Sequence, residues 1–344
     1  MGNETQSPIR AHQNESPFGY SPRVREALQV ELDRGSWYPD PTSTELRRRI
    51  AAQHGVTPEQ VVVGNGVDEL ILLLTLCFAG DRGAVVTTAS TFPGYRNAAR
   101  IVRARLCTVE LEPDRWAVPL QALVERATSE NAALLFVCNP HNPTGTVVPG
   151  ADVRHFLESD MGASCFLSVF DEAYGEFAGE DFQSAIPFVA RGARAIVLKT
   201  FSKAHGLAGF RVGYALGPVD LMARMREARG TMPFGVNRAA LVAAAAAVED
   251  SAFVETVRRS VSALTRRFYA AMDDYRIPYV RSHANFVLVK SSLPTSDAAA
   301  MLETRHGVLV RDTTAFGLPG HLRITMVAEP ELDRVCRALG EVLA

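Results

Sequence analysis

The chain has 344 residues, enough for a large core and two lobes. Its hydrophobic share of 47% and charged share of 22% are those of an ordinary globular protein. A formal net charge of −2 with no basic block argues against nucleic-acid or anionic-membrane partners.

The longest apolar run, Leu70 to Ala79, is too short to cross a bilayer, which needs about 20 residues, and reads as a buried helix. Met1 to Arg10 lacks an apolar signal region, so a cytoplasmic location is expected. The five cysteines show no CxxC pair and read as reduced thiols, not as disulfide or metal ligands.

In chain order, residues 1 to 20 read as polar and irregular, with Asn14 to Tyr20 as turn chemistry. Ser21-Pro22 opens a helix to about Asp33, proline sitting at its first position. Trp37-Tyr38-Pro39-Asp40-Pro41 reads as an exposed aromatic loop, and Ser43 or Thr44 caps a helix through about His54. From Val61 the pattern alternates. Strands are expected at 61–63, 83–88, 104–111, 132–138, Cys165 to Phe170, 195–198 and 212–216, with helices between most of them. Several of these strands are apolar on both faces, which predicts an α/β lobe: a mostly parallel, seven-stranded-type sheet covered by helices. Helix-rich sequence begins at Val219, including a charged helix to about Tyr275. Then come strands at 285–290, 308–311 and 322–327, a helix at 296–305 and a last helix from Glu329, predicting a smaller α+β lobe. The expected division is an N-terminal arm over 1–30 that joins the small lobe, a large lobe over 31–235 and a small C-terminal lobe over 236–344.

In open α/β sheets ligands bind beyond the carboxyl ends of the strands. Gly64-Asn65-Gly66-Val67-Asp68 succeeds the first strand, a glycine turn opening a helix whose free N–H groups suit an anion. Asn139-Pro140-His141-Asn142-Pro143 succeeds another and stiffens the backbone around Asn142. Asp171 ends a strong apolar strand, where a carboxylate is costly unless paired. Ser202 and Lys203 come after Leu198, with Arg211 across a glycine-loosened loop. Only three lysines occur among 36 basic residues, and lysine, unlike arginine, can form a Schiff base. Each feature alone has a structural reading: a turn, a stiff loop, a cap, a surface charge. Together they are the parts that hold pyridoxal phosphate.

The motifs Asn14-Glu15-x-Pro17, Tyr38-Pro39-Asp40, Gly66-Val67-Asp68-Glu69, Asn139-Pro140-x-Asn142-Pro143-Thr144-Gly145, Asp171-Glu172-Ala173-Tyr174, Thr200-Phe201-Ser202-Lys203, Gly206-Leu207-Ala208-Gly209-x-Arg211 and Leu322-Arg323-Ile324-Thr325 resemble those of fold-type I pyridoxal-phosphate (PLP) enzymes. The resemblance is to the class I/II aminotransferase superfamily, in its histidinol-phosphate aminotransferase-like branch. It implies a Schiff base on Lys203, Asp171 paired with the pyridine nitrogen, and Asn142 and Tyr174 on the phenolic oxygen. It implies a phosphate site from Gly66, Val67 and Asp68 at a helix N-terminus with Ser202 and Arg211, and Phe92 stacked on the ring. Arg323 would bind the substrate's carboxylate or phosphate, Arg311 would be a second anion contact, and Asn14 would lie near the substrate. Tyr38 would reach the phosphate of a neighbouring subunit, making a homodimer. Phe92 stands where many relatives carry tyrosine, and His141 replaces a common asparagine. The N-terminus lacks a tyrosine-proline-glycine segment often seen in that branch. The implied reaction moves an amino group from an amino acid, or an amino-alcohol phosphate such as histidinol phosphate, to a 2-oxo acid. The alternative is decarboxylation, β-elimination or oxidative deamination with the same cofactor. A non-catalytic PLP-fold regulator is disfavoured by the retention of Lys203, Asp171, Asn142, Arg211 and Arg323 together.

Overall fold

The computed structural model describes residues 7–81, 83–159 and 166–344. The chain enters through β1 (Ile9–Ala11) and reaches α1 (Pro22–Glu31), where proline occupies the first turn and the Ser21 side chain accepts the Arg23 N–H. The strand is a departure from the irregular arm expected there. It is three residues long and acquires its pairing only from a distant partner.

α2 (Thr44–His54) is not capped by Ser43 or Thr44. Asp40 does this: its carboxylate accepts the N–H of Thr42 at 2.9 Å and of Thr44 at 2.6 Å. A negative group complements the positive end of the helix dipole, and Ser43, held at φ 51, makes no side-chain cap bond.

Then come β2 (Val61–Gly64), α3 (Gly66–Leu74), β3 (Ala84–Thr88), α4 (Pro93–Val102), β4 (Arg105–Val109), α5 (Leu120–Ser129), β5 (Leu134–Cys138) and α6 (Gly150–Glu158). After them lie β6 (Leu167–Asp171), α7 (Ile186–Ala190), β7 (Ala195–Thr200) and β8 (Gly213–Leu216). The buried helix expected at 70–79 begins earlier, at Gly66, and widens after Leu74 into a π-helical turn over Thr75–Ala79. The strand expected from Cys165 is described from Leu167, Cys165 lying outside the described residues.

These strands form a seven-stranded sheet in the order β2-β8-β7-β6-β5-β3-β4. Among the described strands of this sheet, β8 alone runs against the rest, its pairs with β2 and β7 being antiparallel and the other pairs parallel. Both faces are buried, as the apolar runs predicted. Val86, Val137, Phe170 and Val197 enter one core layer, while Val85, Phe136, Val169 and Ile196 enter the other. Each such side chain contributes about 1.5–3 kcal/mol by leaving water.

The chain continues through α8 (Val219–Arg229), α9 (Arg238–Val248), α10 (Ser251–Tyr275), β9 (Tyr279–Val280), β10 (Phe286–Lys290), α11 (Thr295–His306), β11 (Val308–Asp312), β12 (His321–Thr325) and α12 (Glu329–Leu343). A second sheet has the order β1-β11-β12-β10-β9, with β1 parallel to β11 and the remaining pairs antiparallel. The division expected at 235/236 differs from this packing. Ala240, Leu241 and Ala244 of α9 share a core with Val24 of α1, Leu46 of α2, and Val61 and Phe201 beside the large sheet. α9 is alanine-rich, so it fits closely between those helices. The second sheet's own core starts with Val257 on α10 and takes in Ile9 and Ala11 of β1. No helix among the described residues is long and apolar enough to cross a membrane.

Candidate active site

The parallel strands β5, β6 and β7 end at one edge of the sheet, and β2 ends beside them. The loops and helix starts beyond these ends converge on one cavity. It has a volume of about 490 Å³ and is lined by Val67, Asp68, Phe92, Asn142, Asp171, Tyr174, Ser202, Lys203 and Arg211, with Gln13 and Glu15 from the arm. Its size is that of small-molecule sites.

Lys203 is partly buried and its Nζ donates to the Gln13 carbonyl oxygen at 3.0 Å. The Lys203 loop and the arm can approach this closely because of Gly206. At φ +72, a Cβ there would lie 1.8 Å from the Gly19 carbonyl oxygen. Burial, then the positive charges of Arg323 and Arg211, lowers the lysine pKa to about 7.

Asp171 ends β6 and is buried. The Tyr95 hydroxyl donates to its Oδ2 at 2.6 Å and the Ala173 N–H to its Oδ1 at 3.2 Å. Burial nevertheless pushes this carboxyl up to about 6. No cation lies within ion-pair distance of it among the described residues; Lys199 and Arg211 pair with Glu176 and Asp68 instead.

Tyr174 and Asn142 connect the cavity to the second sheet. Asn14 Nδ2 donates to the Tyr174 hydroxyl at 2.9 Å, and the Thr325 hydroxyl donates to Asn14 Oδ1 at 3.0 Å. Arg323, on β12, donates to Asn142 Oδ1 at 2.6 Å and to the His12 carbonyl oxygen at 2.9 Å, between the rings of Phe286 and Phe316. Its Nε is buried with no hydrogen-bond partner among the described residues. Burial lowers the guanidinium pKa to about 10, which leaves it charged at neutral pH.

At the other end, Arg211 Nη1 lies 3.3 Å from Ser202 Oγ and Nη2 lies 2.9 Å from Asp68 Oδ2. The Asp68 carboxylate is thus committed to Arg211. What this turn offers an anion is backbone N–H at the start of α3.

Five of the expected residues do not line the cavity. Asn14, Arg323 and Gly66 stand behind its wall, against Tyr174, Asn142 and Arg211, and Tyr38 and Arg311 lie elsewhere. Tyr38 is 76% exposed and stacks on Phe234 at 4.5 Å, not in the cavity wall. Arg311 does not line the cavity; its Nε points to the His12 carbonyl oxygen at 3.3 Å. His141 is fully buried, between Thr144 Oγ1 at 2.8 Å and Thr88 Oγ1 at 3.2 Å, and burial lowers its pKa to about 3. It is a packed loop residue. Tyr95, Gln13 and Cys138 belong to the site without being legible in the sequence. Tyr95 falls one helical turn after Phe92, and its partner is 76 residues away, so no local pattern announces it.

Residues 9–339 match the family model described as Aminotransferase class I and II. The chain is 35% identical over 336 residues to a histidinol-phosphate aminotransferase of Geobacillus thermodenitrificans, covering 97% of this chain and 90% of the relative. Histidinol-phosphate aminotransferase 1 of Bacillus thuringiensis subsp. konkukian is also 35% identical, covering 97% and 89%. Among solved structures, histidinol-phosphate aminotransferase from Sinorhizobium meliloti, in complex with pyridoxal-5'-phosphate, superposes with TM-score 0.88 at 29% identity, covering 98% of this chain and 91% of that one. N-succinyldiaminopimelate aminotransferase from Mycobacterium tuberculosis superposes with TM-score 0.86 at 25% identity, covering 97% and 93%. The strand-end cavity, the family match along nearly the whole chain and these relatives agree: the chain belongs to the class I and II aminotransferase family.

Proposed function

We propose that this cavity holds pyridoxal 5'-phosphate on Lys203 and moves an amino group from an anionic primary amine to a 2-oxo acid. The amine is an amino acid or an amino-alcohol phosphate such as histidinol phosphate. The residues present fit the cofactor. Asp171 is a desolvated carboxylate with no ion-pair partner among the described residues, Lys203 is a depressed amine, and Gly66 leaves room beside Arg211 that a Cβ at 2.6 Å would fill. When bound, the cofactor supplies an aldehyde that captures the amine and a ring that draws electrons from the substrate's Cα.

Lys203 is the group that holds and moves the proton. With a pKa near 7, a large fraction of its amine is neutral at physiological pH and able to act as nucleophile and base. Asp171 keeps a proton on the ring nitrogen; a cation placed against it draws its pKa back below the value burial imposes. Asn142 and Tyr174 orient the phenolic oxygen, and Phe92 covers a ring face. Ser202, Arg211 and the N–H groups of Val67 and Asp68 hold the phosphate. Arg323, behind the cavity wall at Asn142, binds the substrate anion; its buried Nε has no hydrogen-bond partner among the described residues, which supports that role.

The pairing of Lys203 with Asp171 on one cavity carries this reading. Lys203→Ala is expected to abolish amino-group transfer and the cofactor's visible band. Transfer that survives the change overturns it.

The working unit is a homodimer with Tyr38 contributed across the interface. Trp37, Tyr38, Met232 and Phe234 expose apolar surface, as do Val30 and Leu32 shortly before Trp37 in the chain, which supports a covered face. Sedimentation should find a dimer, and Phe234→Arg a monomer with weakened cofactor binding; a monomeric parent chain refutes this part. Cys77, Cys107, Cys138 and Cys336 are free, which supports a reducing, cytoplasmic setting.

A further inference from the structure

Tyr95 is wholly buried on α4 and spends its hydroxyl on Asp171 Oδ2 at 2.6 Å. Two rings fix its position. It stacks on Phe136 at 4.8 Å with 17° between planes, and meets the edge of the cavity residue Phe92 at 5.7 Å and 82°. The phenol is therefore anchored on both sides of its contact with Asp171, a geometry that space-filling alone does not require.

We infer that Tyr95 is a positioning residue for Asp171: its O–H keeps the carboxylate ionised and in one rotamer, so that a proton shared with a ring nitrogen stays on the nitrogen. This rests on the reading of Asp171 as the ring-nitrogen partner.

The other groups facing Asp171 do not duplicate the effect. The Cys138 thiol on β5 is pushed up to about 12, mainly by burial, and is neutral. Asp68 on α3 raises the Asp171 pKa through its negative charge, and Lys199 on β7 lowers it through its positive charge. Lys199 is itself held by Glu176 at 2.7 Å. The remaining direct donor is the Ala173 N–H, at the longer distance of 3.2 Å. The phenol is itself a donor under all ordinary conditions, because burial and the neighbouring carboxylate raise its pKa. Without it, a buried acid already near pKa 6 retains its proton more readily, and a carboxyl facing a ring nitrogen leaves that nitrogen neutral.

The test uses the full chain without and with cofactor. In the ligand-free protein the Asp171 carboxyl is titrated by carbon-13 NMR, with Asp171→Asn identifying its signal. Tyr95→Phe, which keeps the ring, is expected to raise the midpoint by about one to two pH units. Phe136→Leu, which loosens the stacking but keeps the hydroxyl, should leave it in place. A 3-fluorotyrosine installed at position 95, a stronger donor of the same shape, should lower it, and this arm decides the matter if Tyr95→Phe does not fold. In the loaded protein, the nitrogen-15 shift of labelled cofactor should move toward the unprotonated value in Tyr95→Phe. An unmoved midpoint in both position-95 variants, or an equal shift in Phe136→Leu, overturns the inference. If the parent chain binds no pyridoxal phosphate, the functional reading fails instead, while the ligand-free titration still decides what the hydroxyl does.

Discussion

Gly66 opens α3 at φ +77, and a Cβ built there comes within 2.6 Å of Arg211 Nη2. In Gly66→Ala two costs separate. The left-handed backbone conformation costs a non-glycine residue about 1–2 kcal/mol, which lowers Tm by only a few degrees in a chain of this size. The clash itself is with the end of a flexible side chain, so Arg211 moves aside. It then leaves Asp68, an exposed pair worth about 0–1 kcal/mol, and also Ser202 Oγ at 3.3 Å, where the phosphate is expected. One lost hydrogen bond to a charged group is worth about 1.5–3 kcal/mol, or about 10- to 150-fold in Kd. Titrating ligand-free Gly66→Ala with pyridoxal 5'-phosphate, monitored at its visible band, reads the Kd, and thermal denaturation reads the fold. An unchanged Kd beside a lowered Tm refutes the assignment of Arg211 and this turn to the phosphate.

The site's titrating groups set two further outcomes. In the ligand-free chain, labelling of Lys203 by an amine-reactive reagent, quantified by mass spectrometry, should show a midpoint near pH 7, against 10.5 for an ordinary lysine. Between those values the unfolded chain binds more protons than the folded one. This group therefore adds stability as pH rises from about 7 and withdraws it as pH falls; a midpoint near the ordinary value contradicts the desolvation argument. His141→Asn should cost about 1–3 kcal/mol in urea denaturation, because it breaks a buried network with Thr88 and Thr144. It should leave the pH–rate profile between about pH 5 and 8 unmoved, since the imidazole is neutral throughout that range; a displaced limb makes His141 an acid or base after all.

β5 (Leu134–Cys138) and the first four residues of β7, Ala195 to Leu198, are apolar at every position, and a run of that kind is stable only with helices on both faces, so the large sheet was legible in advance. β1 left no such mark: three residues with one polar side chain become a strand only because Val308–Val310 pairs with them. The helix cap at Asp40 and the packing of α9 against α1 and α2 escaped for the same reason. Several side chains compete for one local role, and the three-dimensional neighbours choose among them.

By itself, the order of residues determined the layered α/β architecture and the strand ends on which Asn142, Asp171, Ser202 and Lys203 stand, because period and punctuation are local properties of a chain. Tertiary structure alone decided what those groups are chemically. The Tyr95–Asp171, Asn14–Tyr174 and Arg323–Asn142 bonds join segments 76 to 181 residues apart. The amine near pKa 7 and the acid near pKa 6 owe those values to burial, a quantity that exists only once the lobes have closed around them.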